Sequence, residues 1–116
     1  MSVCFDGIGE MVATFHVAEG GEVLVGDAVT LTDGATVGMG ASGNVLCGIV
    51  TCVDEDGCAA VQVGGFAQAG YTGTAPTVGM NALCVDGKGG ILVKSGGMNC
   101  LVVSVDTHDK TCIVKL

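Results

Sequence analysis

Val45-Leu46-Cys47-Gly48-Ile49-Val50-Thr51-Cys52-Val53-Asp54-Glu55-Asp56-Gly57-Cys58-Ala59-Ala60-Val61-Gln62-Val63 reads as two strands and the turn between them. The apolar and β-branched runs 45–53 and 58–63 are too short for helices and are separated by an acidic segment ending in Asp-Gly. That dipeptide supplies the positive φ a tight hairpin needs. A second hairpin has the same form, with strand 100–106, the turn around Asp106-Thr107-His108-Asp109-Lys110, and strand 111–116.

Outward from these hairpins the period stays at two. In Glu10-Met11-Val12-Ala13-Thr14-Phe15-His16-Val17, residues 11, 13, 15 and 17 form one apolar face; Val29 and Leu31 alternate with Thr30 and Thr32. Further runs lie at 82–85 and 90–94, and glycine-centred turns separate them. No window carries a 3.6-residue period, and 21 glycines oppose long helices. The fold class is all-β: a small antiparallel β-barrel or sandwich of eight to ten short strands with little or no helix. One domain fits the length of 116 residues.

An internal repeat runs through the pattern. Gly26-Asp27-Ala28-Val29-Thr30-Leu31-Thr32-Asp33-Gly34 aligns with Gly79-Met80-Asn81-Ala82-Leu83-Cys84-Val85-Asp86-Gly87. The Val-Asp turns at 53–54 and 105–106 follow, leading to Cys58 and Cys112. The offset of about 53 residues implies two similar β modules, 20–65 and 79–116, after an N-terminal strand or arm, 1–19. Residues 66–78 read as an uncharged surface crossover loop holding the only Tyr and the only Pro.

Composition narrows the function. There is no Arg or Trp, and the net charge is −8 from 12 acids and 4 lysines. Lys88, Lys94, Lys110 and Lys115 all lie in the last third. No basic cluster can form for counterion-release binding, so direct nucleic-acid binding and docking on an anionic membrane are not expected. No apolar run approaches the roughly 20 residues of a spanning helix. The acidity keeps an otherwise apolar chain soluble. With few aromatic rings to fill its core, a chain of this size gains stability by burying surface in a homo-oligomer.

The seven cysteines have no C-x-x-C spacing, and the N-terminus has no secretory pattern. They read as reduced thiols packed as small hydrophobes in a cytoplasmic, non-secreted product. Cys52 and Cys58 flank the first hairpin and could be cross-strand neighbours. His16 lies opposite the apolar face of its strand and His108 in a turn, neither with a local nucleophile or carboxylate partner. Asp54-Glu55-Asp56-Gly57 lacks the Glu that an EF-hand loop requires six residues after its glycine; Val63 stands there. Gly34–Gly43 and Gly87–Gly97 lack the phosphate-loop pattern. No catalytic residue, cofactor or metal is expected.

Gly26-Asp27-Ala28-Val29, Gly48-Ile49-Val50, Val61-Gln62-Val63-Gly64-Gly65 and the segment carrying Gly79, Asp86, Gly87 and Gly89 resemble the small β-barrel head-decoration and capsid-stabilising proteins of tailed bacteriophages and prophages. The resemblance covers roughly residues 20–95. It implies a non-enzymatic structural protein on the virion capsid surface, a homo-oligomer with a trimer favoured, and a major capsid protein as partner. Interface candidates from the residues themselves are Val3, Phe5 and Ile8 in the N-terminal arm and Phe66, Tyr71 and Pro76 in the uncharged loop. The alternative is a ligand-binding or interaction barrel of a bacterial protein, which would hold a deep apolar cavity.

Overall fold

The computed structural model describes residues 10–116, which are all-β with no helix. The strands are β1 (Met11–Val17), β2 (Ala28–Asp33), β3 (Thr36–Gly38), β4 (Gly48–Val53) and β5 (Cys58–Gly64), then β6 (Phe66–Gly70), β7 (Gly79–Val85), β8 (Ile91–Val93), β9 (Met98–Asp106) and β10 (Thr111–Lys115). Strands β1–β5 close into a barrel in the order β1-β3-β2-β4-β5; β6–β10 form a second sheet in the order β6-β10-β9-β7-β8.

These two orders are one topology. Matching β6–β10 in turn to β1–β5 converts the second order into the first, read around the barrel in the opposite sense. The seam that closes the first barrel is parallel, with His16 opposite Thr36 and Val17 opposite Val37. The second sheet meets at the same place through one parallel bridge, Tyr71 to Ile91, and a bond from the Thr72 N–H to the Ile91 carbonyl. A β-bulge recurs too. Val50 and Cys52 oppose Val61 and Ala60 across Thr51; Val102 and Ser104 oppose Val114 and Ile113 across Val103. A bulge bends its strand and raises the local twist, which a barrel this small requires.

The repeat in the sequence is therefore structural, with a corrected alignment. The pairs Leu31–Val37 and Val85–Ile91 set the offset at 54 over β1–β3 and β6–β8. His16 pairs with Cys58, and Gly70 pairs with Thr111. The counterpart of Cys58 is thus Thr111, not Cys112, whose own counterpart is the core residue Ala59.

Two further corrections concern strands. The stretch 66–78 is not simply a loop, because Phe66–Gly70 is β6, the counterpart of β1, paired along its length with β10. Its Ala- and Gly-rich sequence has no β-branched residue to announce a strand. Three-residue β3 was also unannounced, and its pairing with β1 is parallel in an otherwise antiparallel barrel. The apolar face expected along β1 holds only in its second half: Phe15 and Val17 are half-buried, Met11 and Ala13 exposed.

Each half has its own core. Val23, Val29, Val37, Val50, Ala59 and Val61 fill the first barrel. Leu83, Val85, Ile91, Val102, Cys112 and Val114 lead the second core, which also takes in Ala28, Leu46 and Ile49 from the first half. The halves are therefore docked on one another through apolar contact. Backbone bonds reinforce the junction: Gly43 N–H to the Val85 carbonyl, Val85 N–H to the Asn44 carbonyl and Ala28 N–H to the Gly89 carbonyl. The buried Gln62 side chain donates to the Gly64 and Phe66 carbonyls and fixes the passage from β5 to β6.

Candidate functional site

Strand pairing places His16 on β1 opposite Cys58 on β5, with Nδ1 3.7 Å from Sγ. The thiol donates weakly to the ring nitrogen when the imidazole proton sits on Nε2. Pairing of β1 with β5 creates this pair from residues 42 apart, so neither has a partner in local sequence. Among the described residues no third side chain bonds to the pair, and no group of three His, Cys, Asp or Glu is arranged to hold a metal ion. A nucleophile–base pair needs an orienting third group to act as a triad. His108 sits almost fully exposed in its turn, with Nδ1 3.1 Å from the Asp109 carboxylate.

Cys52 is exposed on β4 and opposes Ala60, whereas Cys58 opposes His16. The two are therefore not directly paired across the hairpin, and both are free thiols. Cys84, Cys100 and Cys112 are buried. Burial pushes the Cys100 thiol up and the Cys112 thiol up to about 11, so both stay protonated and inert. The half-buried Cys47 is raised for the same reason.

Carboxylate and amide side chains brace the turns. Asp27 accepts the Leu24 N–H at 2.8 Å, and its counterpart Asn81 donates to the Thr77 and Gly79 carbonyls. Asp86 accepts the Lys88 and Gly90 N–H groups and the Thr72 hydroxyl. Within the acidic hairpin turn Asp54 accepts the Asp56 N–H, as Asp106 accepts that of His108 in the second half.

The interior of the first barrel is filled by side chains: Val29, Val37 and Val61 have no exposure at all. Among the described residues, grooves open on the surface. One, of about 550 Å³, lies at the end of the first barrel between Val17, Val23, Leu24 and Val53 and the acids Glu22, Asp54 and Glu55. The other, of about 330 Å³, follows the junction, between Ile49, Gln62 and Val25 on one side and Phe66 and Gln68 on the other.

What the surface carries in quantity is large aliphatic side chains. Val25, Val78, Met80, Leu24, Met11 and Leu31 are each more than half exposed. Of the interface candidates, Phe66 is half-buried beside the junction groove. Tyr71 is 6% exposed and belongs to the second core, and Pro76 is buried. These two therefore stabilise the chain's own fold, because the loop that carries them packs inward after β6. Val3, Phe5 and Ile8 lie outside the described residues. No protein-family model and no curated protein matches the chain.

Proposed function

We propose that this chain is a non-enzymatic structural protein that works by surface association, decorating or stabilising a phage-type capsid through protein–protein contacts. The observation that carries the reading is the set of exposed aliphatic side chains on a closed β-barrel docked against a second five-stranded sheet. Exposed aliphatic side chains supply apolar area that a contact can bury. The resemblance of the glycine-based motifs to those of head-decoration proteins suggests the class of partner, a major capsid protein.

The reading has a direct test. A gene for a major capsid protein is expected beside this one. The purified, reduced chain is expected to co-sediment, at a saturating and fixed ratio, with shells assembled from that protein. Shells that pellet without the chain overturn the capsid reading.

A further inference from the structure

The groove of about 550 Å³ at the end of the first barrel has a counterpart place in the second half, and there the chain supplies an aromatic side chain of its own. Val17 pairs with Val37 across the parallel seam, and Tyr71 pairs with Ile91 across the matching one. Tyr71 therefore stands where Val17 stands in the first half. The loops that follow match as well. The Leu24 N–H bonds to the Asp27 side chain, and the Thr77 N–H to that of Asn81. One residue earlier in each loop, Val23 and Pro76 are buried. In the hairpin turns Asp54 accepts the Asp56 N–H, as Asp106 accepts that of His108, which aligns Val53 with Val105 and Glu55 with Thr107.

Matching residues have different surroundings here. Tyr71 is 6% exposed, and Ala75 and Val105 pack against the core to which it belongs. In the first half the short Val17 side chain stands in place of the ring, and Val53 is 43% exposed. The second half thus closes this end with Tyr71. The first half leaves it open, as a groove with Val17, Val23 and Val53 among its lining.

The rims differ in charge. Glu22, Asp54 and Glu55 line the groove of the first half, whereas the second half has Ala75, Asp106 and Thr107 at these places. Residues 10–65 hold eight acids and no Lys or Arg, so that half supplies no such cation to the rim. Carboxylates around an apolar floor attract a group that is itself apolar and carries positive charge.

We propose that this groove docks a peptide segment of a partner protein that presents an aromatic side chain beside a lysine or arginine. The ring takes the place over Val17 that Tyr71 takes in the second half, and the cation meets Glu22, Asp54 and Glu55. An aromatic anchor seated in a pocket gives affinity, and a complementary charged rim gives specificity. The proposal rests on the reading of surface association above and names the chemistry of one contact.

The test uses the full-length chain, isotope-labelled for NMR, reduced, dilute and at low salt. Three acetylated and amidated peptides are titrated into it: Gly-Lys-Tyr-Lys-Gly, Gly-Glu-Tyr-Glu-Gly and Gly-Lys-Ala-Lys-Gly. The first is expected to shift the amides of Gly21, Leu24 and Gly57 saturably. The second, repelled by the rim, and the third, lacking the ring, should each bind at least about tenfold more weakly. Val17→Tyr places a ring of the chain's own in the groove and should weaken the first peptide at least about tenfold. Glu22→Gln combined with Glu55→Gln, at two exposed positions, should weaken it about fivefold and serves if Val17→Tyr misfolds. No saturable shift, a control peptide that binds like the first, shifts centred elsewhere, or unchanged binding in a folded variant overturns the proposal. Groove amides that shift with protein concentration alone would seat a second copy there and overturn it too. Because no shell enters the test, a chain that binds the peptide but not shells keeps the groove and loses the capsid reading, and the reverse result loses only the groove.

Discussion

The two halves of this molecule share strand order, seam and bulge, yet differ in what they leave uncovered. Ile49 and Val85 lie in the junction, while Leu101 and Leu31 at the same places in the other half face solvent. One fold thus appears in two environments within a single chain. Side-chain size is similar at the paired positions, so the difference lies in docking and not in the strands themselves. What the comparison teaches is that exposure at matching positions depends on what the rest of the chain packs against them.

Truncation measures that difference directly. Ile49→Ala is expected to cost about 3 kcal/mol in urea unfolding, as a buried aliphatic side chain lost from a packed junction. Leu101→Ala is expected to cost less than about 1 kcal/mol when measured dilute, so that association adds nothing. Equal losses would break the comparison drawn between the two positions. The second pair sharpens it. Val85→Ala should cost about 2 kcal/mol and Leu31→Ala no more than about 0.5 kcal/mol.

A smaller effect tests whether the two hairpins share a turn. Gly57 and Lys110 both close their turns with positive φ, 80° and 55°. Only glycine takes that conformation without steric cost. Gly57→Ala is expected to destabilise by about 1 kcal/mol. Lys110 bears that strain already, so Lys110→Ala should change stability by only a few tenths of a kcal/mol.

The thiols separate the two halves as well. Exposed Cys52 and half-buried Cys58 in the first half should react early with a thiol reagent, and buried Cys100 and Cys112 in the second only on unfolding. Mass-mapped labelling reads the order. Because burial holds the Cys112 pKa at about 11 in the fold against 9.0 outside it, the unfolded chain ionises first as pH rises. Stability is then complete below about pH 9 and declines as pH rises toward about 11. Unfolding curves across that window should show the loss, and Cys112→Ala should reduce it.

Much of this was legible in the sequence. Period-two alternation and Asp-Gly turns announced eight of the ten strands, and the recurrence of Gly-strand-Asp-Gly announced the repeat. What was not legible depended on tertiary contact. Phe66-Ala67-Gln68-Ala69-Gly70 becomes a strand because β10 supplies its hydrogen bonds, not because its residues prefer to be extended. Tyr71 read as an interface candidate because its loop is uncharged, yet it fills the second core. The His16–Cys58 pair exists only once β1 pairs with β5. Local composition could not reveal which positions stay exposed, since Leu31 and Val85 look alike until one of them is docked.

The central proposal is that this chain works by surface association through its exposed aliphatic side chains. Light scattering of the reduced wild-type chain across a dilution series tests it most directly. The account predicts a mass that climbs with concentration through whole multiples of the monomer. A single monomer mass at every concentration would contradict it.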